Sequence, residues 1–301
     1  MTQQAMAVVR RVARGGRSRT WSADRGLAAG ALLVTPMLVL IAVMLLYPLW
    51  RLSSIALGAP HGIRNVSDFF ASSANTRVMR ITFVDSAIVT VICVGLGSVV
   101  AWSLRTTRSR RAKALLWAAM VLPFLMGTVT KLYALTVMLE DHGVINRALS
   151  GIGLTDHPLS LLYNQFAVVL GMTYQMLPFA VLPLLAGFQT IDPDLVRAAE
   201  SLGASRLRAL GSTVVPLSVP SLLASGTLVY IISVGFFLTP VLLGGATAPF
   251  TSSLIAQDIF DFYDVTTAAV SALILLLGSL LVVAVSWLLV GRERLAKAVA
   301  A

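Results

Sequence analysis

An all-α, polytopic membrane protein with six transmembrane helices is the fold class that the sequence predicts, and three observations predict it. Of the 301 residues, 57% are hydrophobic and only 12% are charged, whereas soluble domains carry about 25% charged residues. The mean hydropathy is +0.86. Six apolar segments reach the roughly 20 residues that a helix needs to cross a bilayer. They lie near 26–50, 81–104, 114–139, 164–188, 214–240 and 267–290. The basic residues gather in patches beside those segments, as membrane orientation requires. A formal charge of +10 would suggest nucleic acid in a soluble chain, but nothing resembles a nucleic-acid module.

Residues 1–25 form a basic segment ahead of the first span. Its arginines raise the question of a signal peptide. The apolar run that follows exceeds the about 7–15 residues of a signal core and precedes no cleavage site, so it reads as an uncleaved span. The connection 51–80 is polar and too short for a core of its own. The second span carries the single cysteine, Cys93, which excludes an intrachain disulfide and reads as a small buried hydrophobe. The loop TTRSRRAK then leads into the third span. In the connection 140–163, VINRAL suggests a short surface helix broken by Gly151 and Gly153. After the fifth span, Leu254, Ile255, Ile259 and Phe262 recur at helical spacing, which predicts an amphipathic helix at the outer mouth. The sixth span ends in a tail, 291–301. Prolines within the spans (Pro36, Pro48, Pro123, Pro178, Pro183, Pro216 and Pro220) either kink the helices in the ordinary way or shape a transport cavity.

Orientation follows from the Lys and Arg distribution. One face holds seventeen: Arg10, Arg11, Arg14, Arg17, Arg19 and Arg25, then Arg105, Arg108, Arg110, Arg111 and Lys113, then Arg197, Arg206 and Arg208, then Arg292, Arg294 and Lys297. Six remain: Arg51, Arg64, Arg77, Arg80 and Arg147 on the other face, and Lys131 within the third span. The positive-inside bias therefore places both termini and the loop around 197–211 in the cytoplasm.

Several chemistries are excluded. No G-x-x-x-x-G-K-[ST] loop exists to cradle a nucleotide; GTVTK at 127–131 lacks the second glycine. No H-E-x-x-H or cysteine cluster points to zinc. The three histidines, His61, His142 and His157, fall in outer loops and read as solvated. No span holds a histidine to activate a serine. Ionisable residues in the spans reduce to Asp85 and Lys131. Asp85 lies near the outer end of its span, where capping or snorkelling accounts for it as well as a substrate role. Lys131 lies deeper, and either reaches outward along its stem or lines a path.

The charged run between the fourth and fifth spans reads IDPDLVRAAESLGASRLRALGSTVVP. Asp192 and Asp194 favour a helix start, and Pro193 suits its first turn. Ala198 and Ala199 leave one flank flat enough for a partner to approach the backbone. Gly203 suits the left-handed position that ends a helix and redirects the chain. Gly211 and Pro216 are expected to break the next piece. On these features alone, the run is either a protein-docking hairpin or an interfacial hairpin held to lipid by Arg206 and Arg208.

The spacing A-A-x-x-x-G-A-S followed by V-x-P resembles the EAA loop of ABC importer permease subunits. Ala198, Ala199, Gly203 and Pro216 match that pattern, with Ala204 and Ser205 after the glycine. Arg197 stands where the family has glutamate, and Val215 replaces a leucine; Glu200, one turn on, offers a substitute acid. Stretches such as KLYALTVMLEDHGVINRAL, LLYNQFAVVLGM and GFFLTPVLLGG resemble the spermidine/putrescine-type branch. The resemblance implies a type I importer permease fold, with five core helices and a first helix that wraps a partner. It implies a non-enzymatic subunit forming half of a translocation path in the inner membrane, with a polyamine or related small solute as cargo. It also implies a second permease subunit in a heterodimer, two copies of a cytoplasmic ATPase that carry ATP and Mg, and an external solute-binding protein. The loop 192–211 is then the coupling element. Lys131, Ser233, Phe236, Phe237 and Thr239 are the candidates for the path, the aromatic faces being suited to a cationic amine. The alternative is an ATPase-independent carrier or scaffold whose charged loop lies on lipid.

Overall fold

The computed structural model describes the backbone of residues 20–58, 62–155 and 157–299, and the side chains of 35–58, 62–155, 157–205 and 208–288. Arg10, Arg11, Arg14, Arg17, Arg19 and His61 lie outside the described residues. So do the side chains of Arg25, Arg206, Arg292, Arg294 and Lys297. The chain divides into two units, Met1–Ser54 and Ile55–Ala301.

The first unit holds most of helix α1 (Thr20–Ala56), with Pro36 and Pro48 inside it. Tyr47 and Trp50, near its end, form an aromatic pair with ring centroids 6.2 Å apart, at a position suited to a membrane–water interface.

The second unit begins with α2 (Arg64–Ala71) and α3 (Ser73–Thr106). Ser72 caps α3 by accepting the Asn75 amide. There follow α4 (Arg110–Leu125), α5 (Thr128–Leu139), α6 (Val144–Gly151) and α7 (Gln165–Gln189). Next come α8 (Pro193–Ser201), α9 (Arg206–Ala209), α10 (Val215–Val234), α11 (Thr251–Phe260) and α12 (Val265–Val299). Among the described residues there is no strand. Five helices among the described residues are long and apolar enough to cross a membrane, and the bent pair Arg110–Leu125 with Thr128–Gly151 makes a sixth crossing if it counts as one.

The core lies where α3, α7 and α10 meet. Val89, Cys93, Ala101 and Leu104 of α3 face Val168, Met172, Met176, Val181 and Leu184 of α7, all of them buried. Without a hydrophobic drive between helices in lipid, small residues that permit close approach hold such contacts. A Cβ on Gly187 would sit 2.2 Å from the Ser221 Cβ, so α7 and α10 nearly touch there. Ser225 Oγ adds a hydrogen bond to the Ala180 carbonyl at 2.9 Å. Gly187→Val is expected to lower thermal stability by about 1–3 kcal/mol through overpacking. Gly187→Ala combined with Ser221→Gly should recover most of the loss in detergent unfolding scans.

Four sequence expectations are corrected locally. The third span is not one helix. Pro123 removes an amide near the end of α4, Gly127 precedes α5, and the stretch Thr128–Gly151 is bent by 107° from Arg110–Leu125. Gly151 ends α6 within the helix, and it is Gly153, at φ +72°, that turns the chain. Asn146 anchors that segment, donating to the Glu140 and Leu159 carbonyls and accepting the Leu159 amide. Phe262 follows the end of α11 and is exposed, as is Ile259, while Leu254 and Ile255 are half-buried. Asp85 is fully buried inside α3, away from any capping position: one oxygen accepts from Gln165 Nε2 and the other meets no partner.

Outside the spans, Asp264 caps α12. It accepts the Thr267 hydroxyl at 2.6 Å and the Thr266 and Thr267 amides at 3.1 and 3.0 Å. The Thr267 hydroxyl and amide bonds hold its carboxyl below the ordinary aspartate range. A depressed folded-state pKa contributes stability above the unfolded value and loses it as the pH falls through the folded one. Burial, with Asp264 nearby, pushes the Asp258 carboxyl up.

Candidate functional site

Two places carry functional geometry: the hairpin over 192–209 and a pocket at the bend between α4 and α5. In the hairpin, Asp192 Oδ1 accepts the Asp194 amide at 2.9 Å and caps α8, with Pro193 in the first turn. Arg197 pairs with Asp194 at 2.8 Å, but the two side chains are 71% and 74% exposed, where such pairs contribute little. At the far end the Gly203 amide donates to the Glu200 carbonyl at 3.0 Å, and the Ala204 amide to the Ala199 carbonyl at 3.1 Å. With Gly203 at φ +91°, this pair of bonds is the Schellman closure. A Cβ there would meet nothing within 4 Å, so glycine is required by the backbone angle rather than by space.

Ala198, Glu200, Gly203 and Ser205 are exposed, Ala199 and Ala204 are half-buried, and Leu202 is 90% exposed. Ala198 and the apolar tip at Leu202 therefore stand free of the rest of the chain, while Ala199 and Ala204 are partly covered by it. The expected break at Gly211 is absent. Arg206–Ala209, a wide π-helical turn at Leu210–Val214 and α10 follow without interruption. The wide turn absorbs the missing amide of Pro216, which sits exposed in the first turn of α10.

The hairpin is tied to the core by a residue that sequence reading counted only as a flanking charge. Arg105, near the end of α3, donates through Nη2 to the Ile191 carbonyl immediately before Asp192. Its guanidinium lies 5.2 Å from the Trp102 ring centroid, and Trp102 packs edge-on against Phe188 of α7 at 5.9 Å. Arg105 and Ile191 are 86 positions apart, so no local pattern reveals the contact. A cleft of ≈ 440 Å³ beside it is lined by Trp102, Arg105, Pro193, Val196, Arg197 and Glu200, among others.

The second place is a pocket of ≈ 280 Å³ lined by Phe124, Thr128, Lys131, Tyr174, Gln175 and Phe236, among others. Lys131 and Phe236 are thus brought together. Phe237, 40% exposed, is not part of the lining. Ser233 is fully buried in α10 with its hydroxyl unpartnered. Thr239 is buried and accepts from Gln175 Nε2 at 2.8 Å. Because α10 closes at Val234, Phe236, Phe237 and Thr239 follow the helix rather than lying in it. Gln175, the one amide in the interior of an apolar helix whose other two glutamines, Gln165 and Gln189, are its end residues, was the available signal for the α7 side of the pocket.

Known proteins agree with this architecture. Spermidine/putrescine transport system permease protein PotB of Escherichia coli is 30% identical over 200 residues, covering 66% of this chain and 72% of the relative. Molybdenum transport system permease protein ModB of Azotobacter vinelandii is 28% identical over 190 residues, covering 63% and 81%. A crystal structure of a bacterial ABC transporter involved in the import of the acidic polysaccharide alginate contains a similar chain. Its TM-score is 0.76 at 19% identity, over 91% of this chain and 99% of that one, which is a likeness of fold. The model of one family, the binding-protein-dependent transport system inner membrane component, matches residues 93–294. That match runs from within α3 to within α12, with the exposed Asp192-capped and Gly203-closed hairpin inside it, and the chain belongs to this family of inner-membrane transport components.

Proposed function

We propose that this chain is one permease subunit of an ATP-driven importer and that the 192–209 hairpin couples it to a cytoplasmic ATPase. The observation that carries the reading is the hairpin itself: capped at Asp192, closed at Gly203, flat at Ala198 and Ala199, and braced from α3 by Arg105. A rigid, exposed element seated on the core suits a partner that pushes on it. The partners are two ATPase copies holding ATP and Mg, a second permease subunit in a heterodimer with α1 wrapped around it, and an external solute-binding protein. Nothing in this chain breaks a covalent bond. ATP binding and hydrolysis in the partner select between outward-open and inward-open states through differential contacts. For the solute, likeness to the spermidine/putrescine permeases supports a polyamine, and ATP-dependent uptake of labelled spermidine into proteoliposomes tests it. Co-purification of an ATPase with the chain is the decisive test of the importer reading. A chain that carries solute without any ATPase would replace it with the independent carrier.

The distribution of the basic residues supports a cytoplasmic position for both termini and the hairpin. Reporter fusions after Arg111, Arg208 and Arg294 are expected to report the cytoplasm, and fusions near Ser72 and Gly151 the outside. An external signal from the hairpin would remove the coupling role.

A further inference from the structure

The pocket at the bend holds one basic side chain and no acid. Among its lining residues Lys131 is the single Lys or Arg, and neither Asp nor Glu appears. Among the described residues no carboxylate pairs with Lys131, the one ion pair being Arg197 with Asp194. Asp85, the acid that the sequence places in a span, accepts from Gln165 through one oxygen and does not line the pocket. An uncompensated charge in a spanning segment is costly and marks a functional site more often than a packing residue.

The backbone adds to the same sign. α5 starts at Thr128, which lines the pocket, and Gly127 supplies no side-chain cap. The first amides of α5 therefore lack intrahelical acceptors. The half-helix N-termini of broken membrane helices serve anionic groups in this way. Gln175, buried to 6% exposure, and Tyr174 supply polar groups on the opposite wall, with Phe124 and Phe236 enclosing the space.

We infer that the pocket at the α4–α5 bend receives the anionic group of the transported solute, with Lys131 as its counter-charge. The solute class is a small molecule bearing a carboxylate, phosphate, phosphonate or similar oxyanion. A polyamine, with several positive charges and no negative one, is repelled from the same place. This inference rests on reading the chain as an importer subunit, and it revises the polyamine expectation that likeness alone supports. Charge in a low-dielectric site discriminates solutes by sign over distances of several ångströms.

The test uses the assembled importer in proteoliposomes and two thiol reagents of opposite charge. Cys93 is the single cysteine of the chain and is buried, so Cys93→Ala leaves no native thiol. Thr128→Cys and, separately, Phe236→Cys then report on the pocket. Their rates of modification by anionic methanethiosulfonate ethylsulfonate and cationic methanethiosulfonate ethyltrimethylammonium are read on this chain by mass. Each rate is divided by that of the same reagent with a free thiol in solution.

The expected normalised ratio favours the anion by about tenfold, falls to near one in Lys131→Met, and inverts in Lys131→Glu. A ratio at or below one with Lys131 intact overturns the inference, as does a preference that Lys131→Met leaves unchanged. No modification at either position also overturns it, because a pocket closed to small ions receives no solute. ATPase co-purification is scored in the same preparations. Its loss defeats the importer reading whatever the thiol rates, whereas retained ATPase with a cation preference defeats this inference alone.

Discussion

Gly203→Val is expected to give an importer that inserts normally, hydrolyses ATP and moves little solute. The native residue lies at φ +91°, and the two closing bonds from the Gly203 and Ala204 amides depend on that angle. A left-handed backbone costs an ordinary L-residue about 1–2 kcal/mol, and branching at Cβ adds to it. The same penalty shifts the population of the closed hairpin by roughly 5–30-fold. Because a Cβ at 203 would meet no atom within 4 Å, the damage acts through the backbone angle and spares the rest of the fold. Ala199→Asp attacks the same element differently, placing a carboxylate on the flank that a partner approaches. Both variants should show uptake reduced about tenfold or more relative to their ATPase activity. Arg197→Glu should be mild, because Arg197 is solvent-exposed and its bond to Asp194 is a surface pair. If the hairpin instead lies on lipid, Gly203→Val is tolerated and loss of Arg206 and Arg208 does the harm. Full uptake by both Gly203→Val and Ala199→Asp would end the coupling role.

The parts of the hairpin that were legible in the sequence are those set by neighbouring residues. An aspartate before proline starts a helix, and a glycine after an alanine-rich turn ends one, because caps satisfy orphan backbone groups within a few positions. Asp192, Pro193 and Gly203 all stand where that local logic puts them. What was illegible depends on contacts between distant segments. Arg105 looks like any basic residue after a span until the Ile191 carbonyl is brought to it by the packing of α3 on α7. The buried state of Asp85 has the same origin, since Gln165 lies 80 positions away.

The bend at 126–127 was hidden for another reason. Hydropathy sums side chains and is blind to backbone direction, so two apolar half-helices read as one span. The local signal was present: Pro123 is followed four residues later by Gly127, a helix breaker and then a permissive residue. Giving that pair more weight would have split the segment and set Lys131 in the first turn of the second half, near its uncapped start.

The brace at Arg105 gives the other large expected effect. Arg105→Ala removes the donor to the Ile191 carbonyl and the cation that rests on Trp102. A buried acceptor left without a partner costs about 1–3 kcal/mol, and here the cost falls on the residue next to the Asp192 cap. The hairpin then keeps its own internal bonds but loses its rigid seat on α3. Force delivered to α8 is absorbed by movement at 190–192 instead of reaching the membrane helices. The expected phenotype is retained ATPase co-purification with uptake per ATP lowered about tenfold, together with a modest fall in thermal stability. Arg105→Lys separates the two contributions. A lysine still reaches a single carbonyl, but it does not offer the planar face that stacks on an aromatic ring. Partial rescue by lysine assigns the main effect to the Ile191 bond, and no rescue assigns it to the stack on Trp102 and, through it, to Phe188. Trp102→Leu, which removes the stack while leaving Arg105 in place, should then match Arg105→Lys. Unchanged uptake per ATP in Arg105→Ala would show that the hairpin transmits its motion through the continuous α9–α10 segment alone.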